Sequence, residues 1–357
     1  MDFSGKRIGF VPYGDLQHPW NLRNFVYYAR NRGLQFEIAQ RGEDYDILVL
    51  SPLADISVWS KYPRGKTKII FFLVDSYLSI HKGNLKGAFR GLAKFLVREQ
   101  KSLRLNYLKT LQDMCSRADA VVCTTLEQKL DIEKHCDNVH IILECHFKAV
   151  RQSKVDYNIG SRINLVWEGL PANLDGFSHI KDVLIHLRKK YPIFLHIITD
   201  LVHKKYLNRF GRTHMINEVE KIMGESSHLN NESMFYMYQW NLDTFSHIVS
   251  ACDLAIIPIN TDNPLGIGKP ENKLLLFWRM GMPTVVSSTP AYSRAMDACG
   301  LDSYCKNNNE WAEKLEKMIV DEETRKIAGQ TGKRHANNFY SENIYLKNWD
   351  GLFESIL

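Results

Sequence analysis

The chain has 357 residues, enough for about two domains, and with 45% hydrophobic and 24% charged residues it is too apolar for a disordered protein. No apolar run approaches the roughly 18 residues that span a bilayer. The opening MDFSGKRIGF enters a strand-like segment with no signal peptide, so a cytoplasmic location is expected. Seven scattered cysteines, Cys115, Cys123, Cys136, Cys145, Cys252, Cys299 and Cys305, form no C-x-x-C pair and read as reduced thiols. A formal charge of +6 on 46 basic and 40 acidic residues is mild, so the placement of charge matters more than its sum.

In chain order, Lys6 to Pro12 is a short apolar run closed by Pro and Gly, followed by a helical pattern from Pro19 to Arg32. Leu34 to Ala39, Tyr45 to Leu50 and Lys68 to Val74 are further short β-rich runs. A long helical region from Leu85 to Arg117, a strand from Ala118 to Cys123, a helix from Leu126 to His135 and a strand from Val139 to Leu143 complete a first unit. Buried strands alternating with helices imply a mostly parallel sheet.

From Phe147 to Arg162 the chain turns polar and loses periodicity, as a linker would. Strands then recur at Ile163 to Trp167, Ile193 to Thr199, Met234 to Tyr238, Leu254 to Ile259 and Thr284 to Ser287. Helices are expected at Ser178 to Lys190, Leu242 to Cys252 and Glu271 to Met280, and from Trp311 to the end. Two such units predict an α/β protein with two Rossmann-like, doubly wound domains facing each other across a cleft. The expected boundaries are 1–150 for the first domain, 163–338 for the second, and 339–357 for a helix crossing back to the first.

The most informative segment runs from Asp253 to Met280. A strand ends in the loop Leu265-Gly-Ile-Gly-Lys-Pro270, which opens the helix beginning Glu271, Asn272, Lys273. Unpaired N–H groups and the positive dipole end make such a start attractive to phosphate. Gly266 and Gly268 are expected to admit a ligand to the backbone, and Lys269 and Lys273 to add charge. G-x-x-x-x-G-K-[ST] is absent, so this is not a Walker loop. An ordinary strand-to-helix turn with solvent-facing lysines is the competing account.

Ala251-Cys-Asp-Leu-Ala-Ile-Ile-Pro258 and Asn272-Lys-Leu-Leu-Leu-Phe-Trp-Arg-Met-Gly-Met-Pro-Thr-Val-Val-Ser287 resemble the donor-binding half of GT-B glycosyltransferases, particularly the bacterial enzymes of the family 4 type. Ala118 to Thr125 resembles the strand closing their N-terminal domain, Leu165-Val-Trp-Glu-Gly169 the strand opening the second, and Ala328 to Leu357 their terminal helices. The resemblance implies an acceptor-binding first domain, a nucleotide-sugar-binding second domain, and sugar transfer to a glycan or glycolipid in cell-surface polysaccharide assembly. It also implies no cofactor beyond the nucleotide-sugar co-substrate and no metal. The family's E-x7-E acidic pair is missing: its positions hold Gly268 and Leu276, and a leucine accepts no hydrogen bond from a ribose hydroxyl. Glu271 is the nearest carboxylate. The absent pair keeps a catalytically silent partner subunit of the same fold in view, alongside a nucleotide-sugar epimerase.

Transfer from a nucleotide donor develops negative charge on the departing phosphate, which a metal-independent site meets with Lys, Arg and helix N-termini. Lys269, as a catalytic cation, Lys273 and the turn carrying Ser288 and Thr289 are the donor-side candidates. On the acceptor side, Asp75 follows an apolar strand and is the candidate base or acceptor-binding residue. His81, and Gly14 and His18 of the first loop, join it. A cap or turn carboxylate is the structural alternative for Asp75.

Asp44-Tyr-Asp46 matches the D-x-D of another glycosyltransferase fold, but such a match is frequent by chance and the rest of the chain does not read as that fold. His135, Cys136, His140, Cys145 and His146 match no familiar zinc spacing. Basic residues recur from Lys82 to Lys109 along the long helix, against the single acid Glu99. That stripe suits an anionic membrane surface, placing the protein at the inner face of the membrane, with a solvated face or donor-steering rim as the alternatives. No nucleic-acid module accompanies the charge, so no nucleic-acid partner is expected.

Overall fold

A computed structural model of the chain describes residues 3, 5–63, 65–79, 107–204, 212–224, 228–229 and 232–357. The chain divides into two compact units, Met1–Cys145 with Glu342–Leu357, and His146–Ser341.

The first unit is built on a parallel six-stranded sheet. Its strands are β1 (Ile8–Val11), β2 (Glu37–Ile38), β3 (Ile47–Leu50), β4 (Lys68–Phe72), β5 (Ala120–Cys123) and β6 (Val139–Ile141), in the order β2-β1-β3-β4-β5-β6. Ile47, Leu48, Val49 and Leu50 are all fully buried, because helices cover both faces of such a sheet and leave no polar face to alternate with. The pattern from Pro19 to Arg32 breaks into two helices, Pro19–Leu22 and Phe25–Arg32. At the break the Asn24 side-chain amide donates to the Trp20 carbonyl (2.9 Å), the acceptor that a continuous helix would give to the Asn24 backbone N–H.

The helix Glu342–Glu354 belongs to this first unit. Its Trp349 and Phe353, both fully buried, stack on Tyr28 with ring centres 5.3 and 5.4 Å away. Asp350 pairs with Arg32 and accepts from the Tyr28 hydroxyl, and Glu342 accepts from the Tyr27 hydroxyl. Of the long basic helix only Tyr107–Arg117 is described; Lys82 to Arg104 and His81 lie outside the described residues.

The second unit repeats the plan with β7 (Ile163–Glu168), β8 (Ile193–Thr199), β9 (Phe235–Gln239), β10 (Leu254–Ile257), β11 (Thr284–Ser287) and β12 (Tyr304–Cys305), ordered β9-β8-β7-β10-β11-β12 and all parallel. The helix Asn272–Arg279 packs against Glu322–Phe339 through glycines. A side chain at Gly332 would meet the Trp278 ring at 2.5 Å, and one at Gly329 the Gly281 carbonyl at 2.3 Å. The polar stretch expected as a linker is tied to this unit. Lys154 Nζ donates to the Cys252 carbonyl (2.7 Å), the Tyr157 hydroxyl to the Gly281 carbonyl (3.0 Å), and Arg325 Nε to the Tyr157 carbonyl (2.9 Å).

Candidate functional site

In each sheet the first strand is flanked by two strands that the chain reaches in opposite directions: β1 by β2 and β3, β7 by β8 and β10. Loops leaving the carboxyl ends of such strands diverge, and the space between them is where open α/β sheets bind ligands.

At this point of the second unit, Trp167 and Glu168 end β7 with Gly169 following, and the segment from Pro258 to Lys269 leaves β10 toward the helix Asn272–Arg279. The Lys273 ammonium lies over the Trp167 ring, 5.0 Å from its centre, against Gly169. Burial lowers its pKa, Glu168 opposes the shift and Lys269 adds to it. Neither Lys269 nor Lys273 makes a side-chain hydrogen bond or ion pair with a described residue. The Leu275 N–H returns to the Glu271 carbonyl (3.0 Å), so the preceding amides of Asn272, Lys273 and Leu274 form the open helix start. The Asn272 Oδ1 is buried without a partner among the described residues.

The glycines play a different part from the one expected. Pro264–Ile267 is a short helical turn, and the N–H groups of Gly266, Gly268 and Lys269 donate to Asn263 (2.7 Å), Pro264 (3.2 Å) and Gly266 (3.1 Å) carbonyls. They are spent within the turn and offer nothing to a phosphate. A side chain at Gly266 would come within 1.9 Å of the Asn260 carbonyl, so glycine there serves the chain's packing on itself. The Thr289 hydroxyl accepts from the Tyr292 N–H (3.3 Å), capping the helix Pro290–Ala298, and Ser288 Oγ shares a hydrogen bond with Ser293 Oγ (2.9 Å). Glu271 bonds the Tyr340 hydroxyl, and burial followed by this carboxylate pushes Tyr340 up to about 12. Leu276 is 3% exposed.

Sequence reasoning passed over Trp167, Glu168 and Gly169 as site residues, although a Trp-Glu-Gly run ending a buried strand was there to be read. It also passed over Tyr292, which is buried and whose pKa burial raises, with the Glu271 and Glu168 carboxylates adding to the shift. Tyr292 therefore remains a hydroxyl donor near two carboxylates.

In the first unit the loop after β1 is held by Asn21. Its buried side chain accepts from the Tyr13 N–H (2.8 Å) and donates to the Tyr13 (3.1 Å) and Asp15 (2.8 Å) carbonyls. Gly14 turns the chain at φ +63°, a left-handed conformation that glycine adopts without strain. His18 Nδ1 accepts from the Trp20 N–H (3.2 Å), and its ring lies 4.8 Å from that of Tyr13. What burial it has, with Arg23 nearby, lowers its pKa. With Nδ1 accepting, the neutral ring carries its proton on Nε2. Asp75 is half-buried just beyond β4 and accepts from the Tyr77 hydroxyl (3.1 Å). Neighbouring Ser76 and, after β3, Ser51 bury hydroxyls with no partner among the described residues. Gln128 Nε2 fixes this edge by donating to the Val74 carbonyl (2.7 Å). No group of His, Cys, Asp and Glu side chains able to hold a metal occurs among the described residues.

No protein-family model matches the chain, and no curated protein matches its sequence. Solved structures do match its fold. TarM superimposes with a TM-score of 0.61 at 12% identity, over 86% of this chain and 54% of TarM, so the chain spans about half the length of that protein. WaaG, a glycosyltransferase involved in lipopolysaccharide biosynthesis, gives 0.56 at 12% over 97% of this chain and 99% of its own. The trehalose-6-phosphate structure from E. coli bound with UDP-2-fluoro glucose gives 0.56 at 12% over 93% and 76%. The fold of the chain is the two-unit α/β fold of the GT-B glycosyltransferases.

Proposed function

We propose that the chain is a GT-B glycosyltransferase of the family 4 type, moving a sugar from a nucleotide-sugar donor held by the second unit to an acceptor held by the first. One observation carries the reading. Lys269 and Lys273 stand without ion-pair partners among the described residues beside the open start of Asn272–Arg279, at the switch point of the second sheet. The charge of Lys269 helps to lower the pKa of Lys273, so the two cations repel each other, and an arriving diphosphate relieves the repulsion. The bound UDP-2-fluoro glucose of the E. coli structure is in keeping with this ligand class. Transfer then needs no metal: Lys269 and Lys273 meet the charge of the departing phosphate, and the Tyr292 hydroxyl and Asn272 amide orient the donor. Asp75 and His18 bind the acceptor hydroxyl, with Asp75 as the base. We further propose a glycan or lipid-linked acceptor in cell-surface polysaccharide assembly, and a cytoplasmic protein peripheral to the inner membrane face. No helix among the described residues is long and apolar enough to cross a membrane.

A thermal-shift series with UDP, GDP, ADP, CMP and their sugars tests the donor site, since a ligand bound only by the folded state raises the melting temperature. One nucleotide should stabilise the wild type and lose its effect in Lys273→Ala; a flat response to all of them rejects the reading. Buried Leu276, in place of a ribose-binding carboxylate, favours a second reading, a catalytically silent partner subunit. Nucleotide binding without transfer or donor hydrolysis would select it.

A further inference from the structure

A cavity of about 890 Å³ opens on the first unit away from the candidate site. Arg7, Asp46 and Thr67 line it, each one residue before a strand, so it lies at the amino ends of β1, β3 and β4, whereas the proposed reaction belongs to the carboxyl ends. Its volume is within the range of about 300–1,000 Å³ typical of small-molecule sites.

Its floor is aromatic. Trp59, 4% exposed, adjoins half-buried Tyr62, with ring centres 5.7 Å apart, while the Tyr45 ring, also 4% exposed, lies under the Arg7 guanidinium at 4.8 Å, so Tyr62 is the more open ring. The rings are fixed: Tyr45 Oη accepts from the Gln40 N–H (2.8 Å), and Tyr62 Oη donates to the Glu43 carbonyl (3.0 Å). The Trp59 indole N–H donates to no described residue. On the rim, Arg7 is committed to Glu37 (2.7 Å) and Glu43 (3.0 Å), and Arg41 to Asp55 (2.9 Å). Asp44, Lys61 and Lys66 are exposed, and their side chains make no hydrogen bond or ion pair with a described residue. The unspent capacity is thus one carboxylate, two ammonium groups and an indole N–H, set around an apolar floor.

We propose that this cavity binds a neutral oligosaccharide. A pyranose ring matches both halves of the lining: its C–H face covers aromatic surface, while its hydroxyls, each a donor and an acceptor, give to Asp44 and accept from Lys61, Lys66 and Trp59. A polyanion would meet the carboxylates of Glu43, Asp44 and Asp46, and a polycation the two free lysines, so a rim of both signs selects a polyol over an ion. This is a site apart from the one proposed for transfer, and it stands whether or not that reading does.

Isothermal titration of the whole protein with maltopentaose, cellopentaose and chitopentaose, with dextran sulfate as the anionic control, tests it. At least one neutral pentasaccharide should bind, without displacement by UDP. The Asp44→Ala/Lys66→Ala variant, altered only at exposed positions, should keep its melting temperature and bind about tenfold more weakly. Tyr62→Ala should weaken binding as well. The proposal is overturned by failure of all three neutral sugars, by binding of dextran sulfate alone, by displacement with UDP, or by unchanged affinity in the folded Asp44→Ala/Lys66→Ala variant.

Discussion

The Lys273 ammonium stands 5.0 Å from the centre of the Trp167 ring, in space left open because residue 169 is glycine; a side chain there would come within 2.4 Å of the Nζ. The end of β7 thereby fixes the start of a helix that follows more than a hundred residues later in the sequence.

Two substitutions separate the charge from its seat. Lys269→Ala should cost about 3 kcal/mol in kcat/KM, the scale for removing one preorganised donor to a charged transition state. Gly169→Ala displaces the Lys273 ammonium while keeping every charge, and should weaken nucleotide binding about tenfold, which corresponds to 1.4 kcal/mol. Steady-state turnover of the matching sugar donor checks the first, and calorimetric titration with the nucleotide found in the thermal-shift series, beside a circular-dichroism melt, checks the second. Full affinity in a well-folded Gly169→Ala protein would remove Lys273 from the site.

Leu276→Glu recreates the missing carboxylate at a position 3% exposed, between the fully buried Leu274 and Trp278. Burying a polar group without partners should lower stability by about 2–4 kcal/mol in urea unfolding, less at acid pH where the new side chain is neutral. If stability is kept and nucleotide affinity rises, the side chain at this position reaches the ligand.

His196 sets a pH dependence. Its Nδ1 bonds the Tyr238 hydroxyl (2.9 Å), its Nε2 bonds Asn164 (3.0 Å), and burial lowers its pKa. As pH falls below the ordinary histidine value of about 6.5, the unfolded chain takes up a proton that the folded one resists. The stabilising contribution is therefore complete above that value and is lost as pH falls through the folded one. His140 and His335, also lowered by burial, act with the same sign. Urea midpoints should fall between about pH 7 and pH 5, and His196→Gln should flatten the decline.

Trp349→Ala should cost about 3–5 kcal/mol, the range for emptying a large aromatic site. Trp349 is fully buried and stacks on Tyr28, with Phe25 and Phe72 within 6.0 Å between ring centres. The loss should fall on the first unit, read as an earlier loss of amide exchange protection in β1 and β3, with β7 and β10 holding.

Much of the fold was legible because parallel strands announce themselves as apolar runs. Ile47 to Leu50 and Leu254 to Ile257 needed no partner to be recognised. The break at Asn24 was hidden, since it depends on a side-chain amide taking a particular carbonyl. At the candidate site, Lys269 precedes the helix Asn272–Arg279 and Lys273 stands in its first turn, places that the sequence alone gives. The glycines misled because composition does not distinguish a backbone open to a ligand from one closed into a turn; only the bonds of Gly266 and Gly268 show which it is. Trp167, Glu168 and Gly169 matter through their neighbours in space, which no local spacing reveals.

Glu342–Glu354 completes the hydrophobic interior begun by the first 145 residues, after the second unit has intervened. During synthesis the opening sheet must wait, its surface around Phe25 and Tyr28 unsealed, until Glu342–Glu354 has left the ribosome. The middle of the chain has all its own strands by then and can fold first, so a segment made after the second unit closes the unit begun before it.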